Sequence, residues 1–208
     1  MDYRKKIEHY HYGEKYDSKR RFASYWHQIN EILALHPKNV LEIGIGNGFT
    51  SRYLSSKGVN LTTCDIDKNL KPDYVASITQ LPFPDNSFDV VMACEILEHI
   101  PYEDALNGLR EIYRVSSAHA VISLPDATRC ICLAFPIPGY GKMQKIIEAP
   151  RLYPKEHSLT KSGHYWEIGK KGFHLNKIKS DIRKTGFNIL KTYRVFENPY
   201  HRFFILEK

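Results

Sequence analysis

Between residues 40 and 125, short apolar runs alternate with amphipathic stretches, and this rhythm limits the fold more than any other feature. VLEIGI, VNLTTCDI, DVVMACEI and AHAVISLP read as strands, and YVASI as a short extended piece. FTSRYLSSKG, closed by Gly58, reads as a helix. So does YEDALNGLREIYRVS, with Ala105, Leu106, Leu109, Ile112 and Tyr113 on one face. Near-continuous apolar strands must be covered on both sides, which implies a parallel sheet with helices on both faces. Right-handed crossovers then make the sheet doubly wound. The end of the chain breaks the rhythm. After a helix in GFHLNKIKSDIRKTG, the strands NILKTYRV and RFFILEK are separated only by FENPYH. Strands so close in sequence pair only as an antiparallel hairpin.

The flanks are less regular. Residues 18–35 predict an amphipathic helix, with Phe22, Trp26, Ile29, Ile32 and Leu33 on its buried face and His36-Pro37 ending it. Residues 125–165 read as an insertion with short helical pieces. The expectation is one domain over residues 1–208: an N-terminal helical cap (1–36), a core (37–124), an insertion (125–171) and a C-terminal helix and hairpin (172–208). No apolar run approaches the ~18 residues of a membrane span, and the N-terminus lacks the apolar stretch of a secretory signal. The four cysteines form no CxxC pair, which argues against a zinc site or a disulfide framework and for a reducing, cytoplasmic setting. The net charge of +7 is concentrated in residues 125–208, with 16 basic and 7 acidic side chains. That surface suits an anionic partner or plain solvation.

The most informative stretch is VLEIGIGNGFT, residues 40–50. In an open α/β sheet, ligands bind beyond the carboxyl ends of the strands, where this loop lies. Gly44, Gly46 and Gly48 allow a tight turn and close approach of a ligand. Phe49 breaks the dinucleotide pattern G-x-G-x-x-G, and no Gly-Lys-Ser/Thr follows, which excludes a P-loop. Glu42 is an acid inside an apolar strand, costly unless it meets a donor or a cation, such as a ligand's ammonium group. The second strand ends in CDID, where Asp65 can take two ribose hydroxyls and Ile66 can lie against an adenine.

With these motifs in register, the chain resembles the class I S-adenosylmethionine-dependent methyltransferases. VLEIGIGNGFTSRYL is similar to the family's first motif, TTCDID to its second, and QLPFPDNSFDVVMACEILEHI to the stretch around its fourth strand in the small-molecule subgroup, which includes sugar and quinone enzymes. The resemblance implies a Rossmann-like seven-stranded sheet, mostly parallel, with a C-terminal antiparallel hairpin. It implies S-adenosylmethionine as cofactor, with S-adenosylhomocysteine as product. Glu42, Gly44, Gly46 and Gly48 would hold the methionine part, Asp65 the ribose, Ile66 the adenine. Ser77 and Ile78 would flank the adenine amine, with Ser77 standing where the family often has Asp. Glu95 would line the boundary between cofactor and acceptor, with Ile96 near it. The Asn-Pro-Pro-Tyr type of motif, used on exocyclic nitrogens, is replaced by CEIL.

A hydroxyl acceptor benefits from a general base, and histidine suits neutral pH. His99 in EILEHIP and His164 in GHYWEIG are the candidate catalytic residues. Tyr165, Trp166 and Glu167 are candidate acceptor contacts, with Trp166 alternatively an anchor to the core. HYHYGEKY, residues 9–16, is weak as a metal motif and fits a lid of tyrosines; no metal site is expected. Tyr25, Trp26 and His27 could serve the same lid, with Trp26 read as core. The expected acceptor is a small molecule, such as a sugar or glycolipid precursor. The alternatives are an RNA or protein methyltransferase using the basic C-terminal third, and a cofactor-binding protein without catalysis. Monomer and homodimer are both open.

Overall fold

The computed structural model describes residues 16–139, 141–149, 152–158 and 163–208. Helix α1 (Lys19–Ala34) leads into strand β1 (Asn39–Ile43), helix α2 (Phe49–Ser56), β2 (Asn60–Asp65), the two-residue β3 (Tyr74–Val75) and β4 (Phe88–Cys94). A 3₁₀ turn at Leu97–His99 precedes α3 (Tyr102–Val115), followed by β5 (Ser116–Pro125) and the strands β6 (Cys130–Ile137) and β7 (Gly141–Glu148). Helix α4 (Leu175–Lys184), β8 (Asn188–Arg194) and β9 (His201–Glu207) complete the chain.

The main sheet has seven strands in the order β3-β2-β1-β4-β5-β9-β8. All neighbours are parallel except β5–β9 and β8–β9. Strand order reverses between β1 and β4, which opens a crevice at their carboxyl ends. Asn39 and Asp89 lock the register at the opposite, amino-terminal ends of the two strands. Asp89 Oδ2 accepts from the amides of Lys38 (2.7 Å) and Asn39 (3.2 Å), and the Asp89 amide returns a bond to Asn39 Oδ1 (2.8 Å).

The sheet separates two apolar layers. Leu41, Ile43, Val91, Ala93, Ile122 and Leu124 face α3 and α4 with Leu109, Ile112 and Ile182. Val40, Val90, Met92, Val121, Phe203 and Ile205 face α1 and α2 with Ile29, Ile32 and Leu54. This alternation explains why the central strands carry apolar residues on both faces. Each fully buried Leu, Ile or Phe contributes about 1.5–3 kcal/mol.

Two expectations are corrected. Residues 130–148 form an antiparallel hairpin apart from the main sheet, where short helical pieces were expected. Pro136 lies in β6 because a two-stranded ribbon has only edges, where a missing N–H is tolerated. Second, α1 buries Ser24, Tyr25, Gln28, Ile29, Glu31 and Ile32, while Trp26 is 59% exposed and Phe22 44%. Its buried face is partly polar because it is hydrogen-bonded: Gln28 Oε1 accepts from Thr50 (2.9 Å), and Glu31 accepts from Lys191 and Tyr193 (both 2.7 Å). Cys132 is exposed and Cys130 half-buried on the ribbon, while Cys64 is buried in β2. A buried ionic knot ties the ribbon to the sheet: Arg202 donates to Asp126 (2.7 Å) and pairs with Glu148, and Arg194 donates to the carbonyls of Asp126 and Thr128. Among the described residues, no helix is long and apolar enough to cross a membrane.

Candidate active site

A cavity of about 720 Å³ opens at the carboxyl ends of β1, β2 and β4. Its volume is within the usual range for small-molecule sites, about 300–1,000 Å³. One end is built by the glycine loop. Gly44, Gly46 and Gly48 all have positive φ, at 80°, 53° and 70°. A Cβ on Gly44 would fall 2.0 Å from Ile96 Cδ1, forcing that side chain to move, and φ 80° is itself a conformation that favours glycine. Asn47 fastens the loop twice: its Oδ1 accepts from the Phe49 amide at the start of α2 (3.0 Å), and its Nδ2 donates to the Asp17 carboxylate (2.9 and 3.0 Å).

Glu42 is 4% exposed, and its Oε2 has no hydrogen-bond partner among the described residues. Burial, with the charge of Asp65 adding and the Ser51 hydroxyl opposing, pushes its carboxyl up to about 7. Asp65 accepts from the amides of Ile45 (3.0 Å) and Asp67 (2.8 Å), one on each oxygen. Burial raises its pKa, and those amides hold back part of the rise. A carboxylate oxygen has two acceptor sites, so each still has one for a ligand.

Glu42, Gly44, Gly46, Asp65, Ile66, Ser77, Ile78 and Glu95 all line this cavity. Gly48 instead caps α2. The Ser77 hydroxyl is bonded to that of Thr79 (2.8 Å). Tyr16 and Tyr25 line the rim beside Arg21, which donates to the Tyr16 hydroxyl (3.0 Å). His27 bonds Tyr193 (3.1 Å). The remainder of HYHYGEKY lies outside the described residues.

The other end of the cavity is polar. Glu95 sits at φ 57°, a left-handed conformation that costs a non-glycine residue about 1–3 kcal/mol. Its carboxylate accepts from Ser123 (2.8 Å) and lies 3.5 Å from His201 Nε2. His99 and His164 meet edge to face with centroids 4.9 Å apart. Burial, aided by His164 and Arg21, pushes His99 down to about 4, so it is neutral at pH 7. His164 Nδ1 lies 3.0 Å from Glu167 Oε1, which also accepts from the Tyr200 hydroxyl (2.6 Å). Burial favours the protonated Glu167, but the bonds from His164 and Tyr200 prevail and hold it below its ordinary pKa. Tyr165 lines the cavity. Trp166 does not: it is 2% exposed and sits in the core against Tyr102 and Phe173. Glu167 reaches the site through His164 and Tyr200.

Among the lining residues that escaped the sequence reading are Arg21, Glu98, Tyr200 and His201. Glu98 had a signal, as an acid beside His99 that folds to 0% exposure. His201 had none, because it reaches the site only through β9.

A family model described as a methyltransferase domain matches residues 41–123. Residues 41–123 thus carry the signature of a methyltransferase domain, set in a seven-stranded sheet of the Rossmann-like methyltransferase fold. Among curated relatives, a ubiquinone biosynthesis O-methyltransferase of Vibrio parahaemolyticus is 25% identical over 84% of this chain and 86% of that protein. The chain spans less than half the length of several further curated relatives. Among solved structures, an S-adenosylmethionine-dependent methyltransferase from Archaeoglobus fulgidus matches at TM-score 0.61 and 17% identity, over 94% of this chain and 97% of that one. The magnesium protoporphyrin IX methyltransferase of Synechocystis, solved with bound S-adenosylhomocysteine, matches at TM-score 0.61 and 17% identity, over 90% of this chain and 84% of that one. At such identities the structural matches establish the fold of the methyltransferase domain.

Proposed function

We propose that the chain transfers the methyl group of S-adenosylmethionine to a small-molecule hydroxyl, on a sugar or glycolipid precursor. The observation that carries this reading is the two-ended cavity. At one end are Glu42, whose Oε2 has no partner among the described residues, the Cβ-free Gly44 and Asp65; at the other are Glu95, His99, His164, Tyr200 and His201. Glu42 would take the cofactor's ammonium, Asp65 its ribose hydroxyls, and Ile66, Ser77 and Ile78 would border its adenine. When bound, the cofactor supplies a methyl group on a sulfonium. The protein's share is to align the acceptor oxygen with that carbon, exclude water, and receive the hydroxyl proton as the new O–C bond forms. Three imidazoles, on His99, His164 and His201, surround the acceptor end. The hydrogen-bonding groups there suit a polyhydroxylated molecule. The O-methyltransferase among the relatives supports oxygen as the acceptor atom.

Calorimetry with S-adenosylmethionine and S-adenosylhomocysteine tests the cofactor end. Binding by the wild type that weakens at least tenfold in Asp65→Ala is expected, and absence of wild-type binding would sink the proposal. Transfer of labelled methyl across panels of sugar-derived and phenolic acceptors tests the other end. Turnover of phenols alone would remove the sugar assignment.

A further inference from the structure

We infer that Glu98, His99 and His164 form a binding site for one divalent transition-metal cation at the acceptor end of the cavity. Each of the three offers a ligand atom, and these atoms lie within 4.8 Å of one another. Two imidazoles and one carboxylate, with further positions open to the cavity, form a ligand set known to suit Zn²⁺ or Fe²⁺. The Glu98 carboxylate lies 3.9 Å from His99 Nε2. Metal bonds of about 2.0–2.2 Å bring tetrahedral ligand atoms to roughly 3.4 Å apart, so binding requires the cluster to contract by about an ångström.

An independent observation points to the same place. Glu98 is 0% exposed and lines the cavity, yet neither carboxylate oxygen has a hydrogen-bond partner among the described residues. A buried carboxylate without a donor is costly, and coordination is one of the few arrangements that relieves it. The backbone holds Glu98 in place: its carbonyl accepts from the Tyr165 amide (2.8 Å), bringing the His164 segment against the 3₁₀ turn. Gly163 turns the chain there at φ 75°, a conformation that side-chain-bearing residues rarely adopt. Around His164 stands the outer contact that metal-ligating histidines carry. Its Nδ1 is held by Glu167, which is itself held by Tyr200.

The inference rests on the proposed function only for its consequence. A cation here would hold an acceptor oxygen and favour loss of its proton. His99 and His164 would then serve as ligands, leaving His201, beside Glu95, to receive that proton. The acceptors this favours present two adjacent oxygens that can chelate.

The test uses the full chain, stripped with chelator and titrated with Zn²⁺ by calorimetry and with Co²⁺ by visible absorption. Wild type, Glu98→Gln and His164→Ala are compared, with circular dichroism and S-adenosylhomocysteine binding as controls for folding. One cation per chain is expected, with affinity reduced at least tenfold in both variants. Absence of stoichiometric binding, or binding that survives both substitutions, would overturn the site. Metal binding without cofactor binding would uphold the site and sink the proposed function; cofactor binding without metal binding would do the reverse.

Discussion

Replacing Glu42 by glutamine should make the protein more stable and less able to bind its cofactor. The carboxyl is 4% exposed and is raised from 4.5 to about 7, first by burial and then by Asp65. Below pH 4.5 it is protonated in both folded and unfolded chains, and the substitution changes little. Between 4.5 and 7 the folded chain keeps a proton that the unfolded chain has lost, so wild-type stability falls as pH rises. Above 7 the loss is complete, and at about 1.4 kcal/mol per pKa unit it amounts to about 3 kcal/mol. Glutamine has nearly the same shape and no charge to desolvate. Urea denaturation of both proteins at pH 4.5 and pH 8 should show matching stability at the first and an advantage of about 3 kcal/mol for Glu42→Gln at the second. Calorimetry at pH 8 should show the opposite trend for S-adenosylmethionine, weakened on the order of tenfold to a hundredfold by loss of a charged partner. A stability margin that is the same at both pH values would refute the reasoning, since then the acid's ionisation is not what the fold resists.

Wild-type affinity for S-adenosylmethionine should itself rise from pH 6 to pH 8 as Glu42 ionises, and a flat profile by calorimetry would count against its role. Gly44→Ala, with φ 80° and a Cβ 2.0 Å from Ile96, should abolish cofactor binding and lower stability by about 1–3 kcal/mol, read from binding and from the denaturation midpoint. Tyr200→Phe removes a 2.6 Å bond to Glu167 and should cut the turnover rate by about tenfold while cofactor affinity holds; equal rates would mean the hydroxyl does not position His164. Arg202→Met leaves Asp126 buried without its side-chain partner, and a loss of about 3–5 kcal/mol should lower the melting temperature by roughly 10 °C.

The parts of the fold legible in the sequence were those where local pattern and tertiary demand coincide. β1, β4 and β5 are buried on both faces, so their apolar runs are nearly continuous, and Gly44 needs a backbone conformation that only glycine adopts freely. Glu42 and Asp65 stood out because an acid beside an apolar strand must have a use. The ribbon β6–β7 was missed because both of its faces are largely exposed, which leaves little burial contrast to produce alternation, and because Pro136 and Pro138 suggest irregularity. Trp26 misled because its helical spacing ignores what the neighbours supply. Gln28 and Glu31 point inward because Thr50, Lys191 and Tyr193 offer them bonds, and no one-dimensional pattern carries that information. His201 is the clearest limit: its place in the cavity depends on the pairing of β9 with β5, far away in sequence.

The reversed direction of β9 has a consequence for how the protein can change. Every parallel strand brings its last residue to the working edge of the sheet, whereas β9 brings its first, with His201 opposite Pro125 at the end of β5. The link between β8 and β9 therefore turns at that edge, beside the proposed acceptor end of the cavity and away from Asp65. Under the proposed function, its length and composition can drift without disturbing the glycine loop and Asp65. Acceptor preference would then be rewritten in half a dozen residues near the end of the chain, while the methyl donor stays the same.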